Sequence, residues 1–269
     1  MSLITLTTDF RTSSPMVGQM HGAIRSIAPE VIIVDLTHEI PRGDCQAAQL
    51  ALEDAAPYFP DGTIHLAIVD ELGPGGKSDE VIRPLIAQLG PQFFVGPDTG
   101  LITPLLQRAE ANRWTAEVYH ANQARYWRAH HPEGASGRDI YAALAGHLAK
   151  GMPLSELGER INDPLRANLP EPEIAGNGWR GEVLLIDHFG NLSANLKAFH
   201  LEGMGRIRVT VGGITIDGLS RTFGDGKPGD LIAMIDSSNR LSISVVNGSA
   251  AQRLGVRTGD PIEVQPIDG

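Results

Sequence analysis

A proline- and glycine-rich segment between Asp163 and Gly181 separates two parts of the chain with different hydrophobic patterns. Before it, short β-branched runs alternate with helix-like stretches, which is typical of α/β layers. After it, short strand candidates alternate with glycine-bearing turns, as in a small barrel. The sequence therefore predicts an α/β domain with a mostly parallel sheet over residues 1–165, a linker over 166–180 and a small all-β, barrel-like domain over 181–269.

The first part resolves into individual strands and helices. Pro29 and Pro57 end two of the helices, because proline disfavours the helical conformation of the residue before it. The apolar run at Val31–Leu36 predicts a buried strand. The other predicted elements are strands at Ile4–Thr8, Thr63–Asp70 and Gln92–Val95 and helices at Val17–Ala28, Cys45–Ala56 and Asp139–Lys150.

The charge of the chain excludes several classes of partner. Thirty-two acidic and 22 basic side chains give a net charge of -10, and the basic ones are scattered. A field of this sign repels phosphate backbones and anionic membranes. The longest apolar runs are much shorter than a membrane span, and the first residues lack a secretory pattern. We therefore expect a cytoplasmic protein without nucleic-acid or membrane partners.

Metal and nucleotide sites lack support in the sequence. Cys45 is the single cysteine, so neither a disulfide within the chain nor a cysteine-rich zinc site can form. The nine histidines show no helical pair with a glutamate between them, and on a strand the adjacent His130 and His131 would point to opposite faces. The glycine-rich segment after Asp70 has Glu71 where a phosphate loop needs its first glycine, and Pro74 removes an amide donor. We predict no metal ion.

Aspartates follow several of the predicted strands. Asp9, Asp35, Asp70 and Asp98 each come near the end of a buried run, and His38 follows Asp35. Open α/β sheets bind ligands at the carboxyl ends of their strands. Each aspartate alone has an ordinary alternative as a helix cap or turn residue. Together they predict a shared pocket that prefers a cation or a ribose, because carboxylates attract positive charge and accept hydrogen bonds from hydroxyls.

Seven motifs, in order along nearly the whole chain, resemble those of the S-adenosyl-L-methionine hydroxide adenosyltransferases, the family that includes the fluorinating and chlorinating enzymes. They lie at Thr8–Phe10 with Val17–Gly22, Ile33–Pro41, Tyr58–Asp70, Phe94–Leu101, Gly137–Ile140, Ile186–Leu192 and Asn247–Ala251.

This resemblance implies an α/β domain, a C-terminal β-barrel and a homotrimer with active sites between the N-terminal domain of one subunit and the C-terminal domain of its neighbour. It also implies that the substrate is S-adenosylmethionine, which is cleaved to adenosine and methionine without a cofactor. Asp9 would hold the ribose, and Phe189 and Asn191 would border the adenine. By the same resemblance the substrate-binding residues are Asp9, Phe10, Ser14, Thr99, Asp187, Phe189, Asn191, Ser238, Ser249 and Ala250.

The resemblance also assigns a catalytic set. Asp70 would orient the attacking water, since the halogenating relatives have tyrosine in the matching place. The hydroxide-transferring enzymes add an arginine seven residues later and a histidine. Counting forward from Asp70 gives Lys77 at the arginine position, whereas counting back from Phe94–Asp98 gives Arg83. Ser136 replaces the histidine and is predicted as a weak substitute.

Departures from the family pattern leave three functions open. Arg11 replaces a usual glycine, and Ser14 and Met16 replace an aspartate and a tyrosine, so a cation is gained and a carboxylate lost near a sulfonium substrate. Either a group such as His131 rebuilds the water site, or catalysis is altered or absent. The first hypothesis is hydrolysis of S-adenosylmethionine, the alternative is a non-catalytic adenosine- or nucleoside-binding protein, and halogenation is the third.

Overall fold

The computed structural model describes residues 2–70, 82–128 and 137–267, which form two compact units over residues 1–168 and 169–269. The division falls inside the segment 166–180 that was predicted as a linker. Part of that segment is strand, since a short strand spans Glu173–Ala175 and a longer one begins at Gly178.

The first unit contains a mixed sheet. Within the described ranges it has seven strands in the order β2-β1-β3-β5-β4-β6-β7, and five of them point in one direction. β4 and β7 run against the others, so the predicted mostly parallel sheet is confirmed. The strands are β1 Leu3–Thr8, β2 Ile32–Thr37, β3 Ile64–Ile68, β4 Pro84–Leu89, β5 Gln92–Pro97, β6 Ala116–His120 and β7 Glu159–Ile161.

Helices cover both faces of this sheet. Neighbouring residues of a strand point to opposite faces, so Leu66 and Ile68 of β3 pack in one core while Ala67 and Val69 pack in another. α1 and α4 contribute to the first core, and α2 and α3 to the second. The helices of this unit are α1 Met16–Ile27, α2 Cys45–Ala55, α3 Thr103–Ala111, α4 Gly137–Ala149 and α5 Leu154–Leu157.

The second strand is less buried than its sequence predicted. β2 lies at the edge of the sheet, and Ile32 is 41% exposed. A run of apolar residues does not distinguish an edge strand from a central one, because that difference depends on the order of strands in the sheet. The prediction of a buried strand was therefore wrong, because every residue of β2 is partly or largely exposed.

The second unit is an antiparallel, barrel-like sheet, as predicted. Its main path runs β12-β11-β15-β9-β10-β14-β13, with β8 paired to β9. β12 and β13, the two ends of this path, contact each other and nearly close the barrel. Alternate side chains fill one core. The elements are β8 Glu173–Ala175, β9 Gly178–Ile186, β10 Leu192–Lys197, β11 Ile207–Val211, β12 Ile214–Asp217, β13 Leu231–Ile235, β14 Arg240–Val245, α6 Ala250–Leu254 and β15 Pro261–Pro266. No helix in the described ranges combines the length and apolarity needed to cross a bilayer.

Candidate active site

Three of the predicted site residues meet at one edge of the first sheet. β1, β3 and β5 are parallel neighbours, so their carboxyl ends lie side by side. Asp9 follows β1, Asp70 comes two residues after β3, and Thr99 comes two residues after β5. We refer to this group as the carboxyl-edge site.

The loop before α2 reaches into the carboxyl-edge site. The Gly43 amide donates a 2.9 Å hydrogen bond to Oδ2 of Asp9. Gly43 has φ of 72°, and a side-chain carbon built on it would lie 3.7 Å from Oδ1 of Asp70. This glycine therefore lies between two carboxylates. Sequence reasoning missed it, although a glycine directly before the helix-capping Asp44 is a signal for a turn.

Asp70 has the electrostatics of a proton acceptor. Partial burial raises the pKa of its carboxyl group, and the negative charge of Asp9 raises it further. The backbone of Asp70 has φ of 55°, in the left-handed region that aspartate tolerates better than most residues. The strand end thus holds a carboxylate that is more basic than a free aspartate.

Cys45 and Thr99 complete the polar lining of this edge. Burial raises the pKa of the Cys45 thiol, and the charges of Asp70, Asp44 and Asp9 add to the rise. The Thr99 side chain opposes it from its place beside the thiol. A neutral thiol with carboxylates around it suits a site that attracts a cation.

The loop after β1 has a fixed path. The Phe10 amide donates to Oγ1 of Thr8 at 3.3 Å, and the Phe10 side chain packs against the first core. The Arg11 amide donates to the carbonyl oxygen of His38 at 2.8 Å, and Arg11 has φ of 60°. Ser14 accepts a 3.2 Å bond from the Met16 amide at the start of α1, so it serves as a turn residue.

The other two strand-end aspartates are engaged in ion pairs. Asp35 lies inside β2, where its Oδ1 is 2.9 Å from Nε2 of His21. Asp98 accepts from Nε of Arg83 at 2.8 Å. Of the four aspartates that predicted a shared pocket, only Asp9 and Asp70 are grouped by contact at the carboxyl-edge site within the described residues.

Arg83 is held by acidic groups of its own unit. Besides its bonds to Asp98, it donates from Nη1 to Oδ1 of Asp163 at 3.1 Å and from Nη2 to the Asp163 carbonyl at 2.8 Å. These hydrogen bonds and charges raise the pKa of the Arg83 guanidinium, although burial opposes them. Its predicted catalytic role stays a prediction. Lys77, Ser136, His130 and His131 lie outside the described residues.

In the second unit, Asp187 organises the predicted adenine-side turn. Its Oδ1 accepts from the amides of Phe189 and Asn191 at 2.9 Å each, and its Oδ2 accepts from Nδ2 of Asn191 at 2.8 Å. Phe189 is 65% exposed and its ring centre is 3.7 Å from that of His188. Asp187 thus fixes the turn that presents an aromatic face.

The turn at Asp187 contacts the predicted Ser249–Ala250 segment. The Ala251 amide donates to the Gly190 carbonyl at 3.0 Å. A side-chain carbon built on Gly190 would lie 2.0 Å from Oγ of Ser249, which caps α6 by accepting from the Gln252 amide. Ala250 is fully buried. Two predicted adenine-side segments therefore form one packed group.

Ser238 is in the turn between β13 and β14. Its amide donates to Oδ1 of Asp236 at 2.9 Å, and Oδ2 of Asp236 accepts from the Ser193 hydroxyl of β10 at 2.8 Å. The turn is therefore linked to β10 two residues after Asn191. The predicted substrate contact of Ser238 stays a prediction.

Comparisons with known proteins agree with the resemblance. Residues 4–158 match the SAM hydroxide adenosyltransferase N-terminal domain, and residues 181–263 match its C-terminal domain. The chain is 33% identical over 265 residues to a protein of Salinispora tropica named (R)-S-adenosyl-L-methionine hydrolase, a match that covers 97% of each. A Thermus thermophilus protein with the same name is 34% identical over 259 residues, covering 95% of this chain and 96% of that protein.

A solved structure supports the same relationship. The crystal structure of an uncharacterized conserved protein from Thermotoga maritima matches with a TM-score of 0.83 and 29% sequence identity, covering 98% of this chain and all of that one. Both family domains match in order and together span most of the sequence. The chain belongs to the SAM hydroxide adenosyltransferase family.

Proposed function

We propose that the protein hydrolyses S-adenosyl-L-methionine to adenosine and L-methionine through attack of water on the ribose 5' carbon. One observation carries the proposal: Asp70, a carboxylate with a raised pKa, lies beside Asp9 at the carboxyl ends of parallel strands. The names of relatives that are 33% and 34% identical over nearly the whole chain support the same reaction.

The residues present suit the chemistry. Methionine leaves as a neutral thioether, so its departure needs no general acid. The water must be placed in line with the departing sulfur and must give up its proton, which are tasks for a positioned base such as Asp70. Within the described residues Asp9 accepts from the Gly43 amide through Oδ2, and we propose that Oδ1 accepts from the ribose hydroxyls. The two carboxylates also attract the sulfonium charge.

The proposal includes an assembly that was implied by the family. Each unit carries part of the predicted site, with Asp9 and Asp70 in the first and Phe189 and Ser249 in the second. We propose a cytoplasmic homotrimer whose sites form between subunits, with no metal ion, cofactor, nucleic acid or membrane required.

Incubation of the purified protein with each sulfonium epimer of S-adenosylmethionine tests the reaction. We expect equal amounts of adenosine and methionine from the (R) epimer named in the relatives. In water enriched in oxygen-18, the label should appear in adenosine, since the water oxygen becomes the 5' hydroxyl. Failure to form either product, while a relative is active in parallel, would reject the proposal.

A second candidate is binding of adenosine without turnover. It is favoured by the arrangement of Arg83, which is held by Asp98 and Asp163. Calorimetric binding of adenosine by a protein that releases no methionine would support it. Halogenation has less support because Asp70 stands where the halogenating relatives have tyrosine, and a 5'-halogenated product formed in chloride or fluoride would overturn that ranking.

A further inference from the structure

The loop that carries Asp9 is linked to His38 by two hydrogen bonds, one through the His38 side chain and one through its backbone carbonyl. Nδ1 of His38 is 2.8 Å from Oγ1 of Thr8, and the same hydroxyl accepts the Phe10 amide at 3.3 Å. The carbonyl oxygen of His38 accepts the Arg11 amide at 2.8 Å. Asp9 therefore directly precedes two residues, Phe10 and Arg11, whose amides are both held through His38.

Burial makes the hydrogen bond between the His38 and Thr8 side chains costly to lose. His38 is 4% exposed and Thr8 is fully buried, so a hydrogen-bonding atom left without a partner there is costly. Nε2 of His38 is 3.1 Å from Oδ1 of Asp35. The contact lacks hydrogen-bond alignment, but a carboxylate at this distance favours a proton on Nε2, and Nδ1 is then the acceptor for the Thr8 hydroxyl. That hydroxyl keeps a lone pair for the Phe10 amide.

Asp35 is held in its charged form by two histidines. Although burial opposes it, the hydrogen bonds and charges of His21 and His38 keep the pKa of Asp35 below its usual value. The carboxylate therefore stays charged at neutral pH, 3.1 Å from Nε2 of His38. Its charge favours the ring tautomer in which Nδ1 accepts from Thr8.

Thr8, His38 and Asp35 are ordered like a nucleophile, base and carboxylate triad, but the structure excludes that chemistry. The Thr8 hydroxyl is fully buried, so no substrate atom can reach it. A nucleophile must be accessible to the bond that it attacks. The arrangement instead serves the neighbouring backbone.

We infer that His38 is a positioning residue for substrate binding: through Thr8 it fixes the loop that presents the Asp9 carboxylate to the ribose. The inference rests on the proposed function, because it assumes that Asp9 contacts the ribose of S-adenosylmethionine. It assigns His38 no contact with the reacting atoms. Loss of the Thr8 link should therefore weaken binding more than it slows the chemical step.

Two substitutions separate the two contacts of the His38 ring. In His38→Asn, the amide reaches about as far as Nδ1 and can still pair with Thr8, whereas in His38→Gln it extends toward the position of Nε2. We expect the adenosine Kd of His38→Asn to stay within about twofold of the wild-type value. His38→Gln and Thr8→Val should weaken adenosine binding roughly tenfold, which corresponds to the loss of one buried hydrogen bond. In these two variants KM for S-adenosylmethionine should rise in parallel, while kcat changes by less than about threefold.

The fold supplies a matched control. His65 on β3 pairs through Nδ1 with Oγ1 of Thr5 on β1 at 2.9 Å, and both residues are fully buried. This pair repeats the histidine and threonine geometry without a link to the Asp9 loop. Thr5→Val should lower stability as Thr8→Val does, yet leave the adenosine Kd unchanged. Equal weakening of binding by both variants would overturn the inference.

Amide hydrogen exchange tests the positioning without reliance on activity. In Thr8→Val the Phe10 amide loses its acceptor, so its exchange should accelerate at least about tenfold, while the Arg11 amide keeps the His38 carbonyl and should not change. Unchanged exchange at Phe10 would refute the positioning role. If wild-type protein binds no adenosine, the proposed function fails, and the exchange rates still decide whether His38 holds the loop.

Discussion

Arg83 donates a 2.8 Å hydrogen bond from Nε to Oδ2 of Asp98, a carboxylate that is only 6% exposed. The other oxygen of Asp98 accepts the Leu165 amide at 2.7 Å. Together with the bonds to Asp163, this arrangement ties the segment after β7 to the end of β5. Arg83 thus has a structural role in the first unit, whether or not it also assists the water.

Arg83→Lys tests which role dominates. A lysine cannot supply the planar fork that bonds to Asp98 and Asp163 at once, so we expect the free energy of unfolding to fall by about 1 to 3 kcal/mol. Urea titration measures this loss. Turnover should be kept once the variant is folded. An unchanged urea midpoint together with abolished turnover would show that Arg83 acts at the carboxyl-edge site instead.

Arg208→Lys is the matched control for that experiment. Arg208 also forms a fork with a carboxylate, donating to Asp217 at 2.6 and 2.9 Å, but this pair is exposed on the second unit. Exposed ion pairs contribute little to stability. The variant should therefore unfold close to the wild-type midpoint, and a loss equal to that of Arg83→Lys would contradict the importance of burial at Asp98.

Asp70→Asn should separate catalysis from binding. Asparagine keeps the left-handed backbone that Asp70 adopts but cannot accept the proton of water, so we expect turnover to fall by about 10² to 10⁴ while adenosine still binds. Single-turnover kinetics and calorimetry measure the two effects. Asp61→Asn, in the exposed turn before β3, should change neither. Wild-type turnover in Asp70→Asn would remove Asp70 from the mechanism.

The raised pKa of Asp70 also predicts an effect on stability. Its folded-state pKa lies above the ordinary 3.8, so the folded protein prefers the neutral carboxyl and loses stability as pH rises from 3.8 through the folded value. Asp70→Asn removes this penalty. The variant should unfold at a higher temperature than wild type at pH 7 and at the same temperature near pH 3. A lower midpoint at pH 7 would contradict the pKa shift.

The carboxyl-edge site was partly predictable from sequence. Asp9 and Asp70 follow buried strands, and parallel strands share a carboxyl edge, so their proximity followed from the pattern alone. Gly43 was missed because its contribution is the direction of a backbone amide, which depends on how the loop crosses the sheet edge. The pairing of Asp35 with His21 was missed because it joins α1 to β2, two elements whose packing is not local.

Parts of the fold escaped prediction for a similar reason. β4, α3 and β6 were not predicted. β4 inserts antiparallel between β5 and β6, and such an order is set by contacts across the sheet rather than by the strand's own residues. The shift from helix-like to strand-rich pattern near Asp163, in contrast, is a local property. It was sufficient to predict both architectures.

Arg11→Gly should improve both stability and affinity. Arg11 has φ of 60°, a conformation that costs a residue with a side chain about 1 to 2 kcal/mol and that glycine adopts freely. Glycine also has more entropy in the unfolded chain, which cancels part of this advantage. We therefore expect the free energy of unfolding to rise by up to about 1 kcal/mol. Because the family resemblance puts Arg11 beside the proposed sulfonium site, loss of this cation should lower KM severalfold at low salt and less at high salt. Arg113→Gly, at φ of 56° in the turn after α3, should give the same stabilisation with unchanged KM. A fall in KM in both variants would exclude the charge as the cause.

His65 should make the first unit sensitive to acid. Burial lowers the pKa of its ring to about 4, whereas in the unfolded chain it titrates near 6.5. Between these values the unfolded state binds the proton and the folded state does not, so the free energy of unfolding should fall by up to about 3 kcal/mol from pH 6.5 to 4. His65→Asn, which can keep the bond to Thr5, should lose this slope in urea titrations across the range. Identical slopes in both proteins would refute the shift.

Gly190→Ala tests the packing of the adenine-side group. Gly190 has φ of 85°, and its new methyl carbon would lie 2.0 Å from Oγ of Ser249, so the turn and α6 must separate. Gly203→Ala isolates the backbone cost, because Gly203 has φ of 78° with open space around it. We expect Gly190→Ala to lower the free energy of unfolding by about 1 to 3 kcal/mol more than Gly203→Ala does. Only Gly190→Ala should weaken adenosine binding in calorimetry. Adenosine affinity that is unchanged by Gly190→Ala would show that the Asp187 turn and the Ser249 segment do not hold the base.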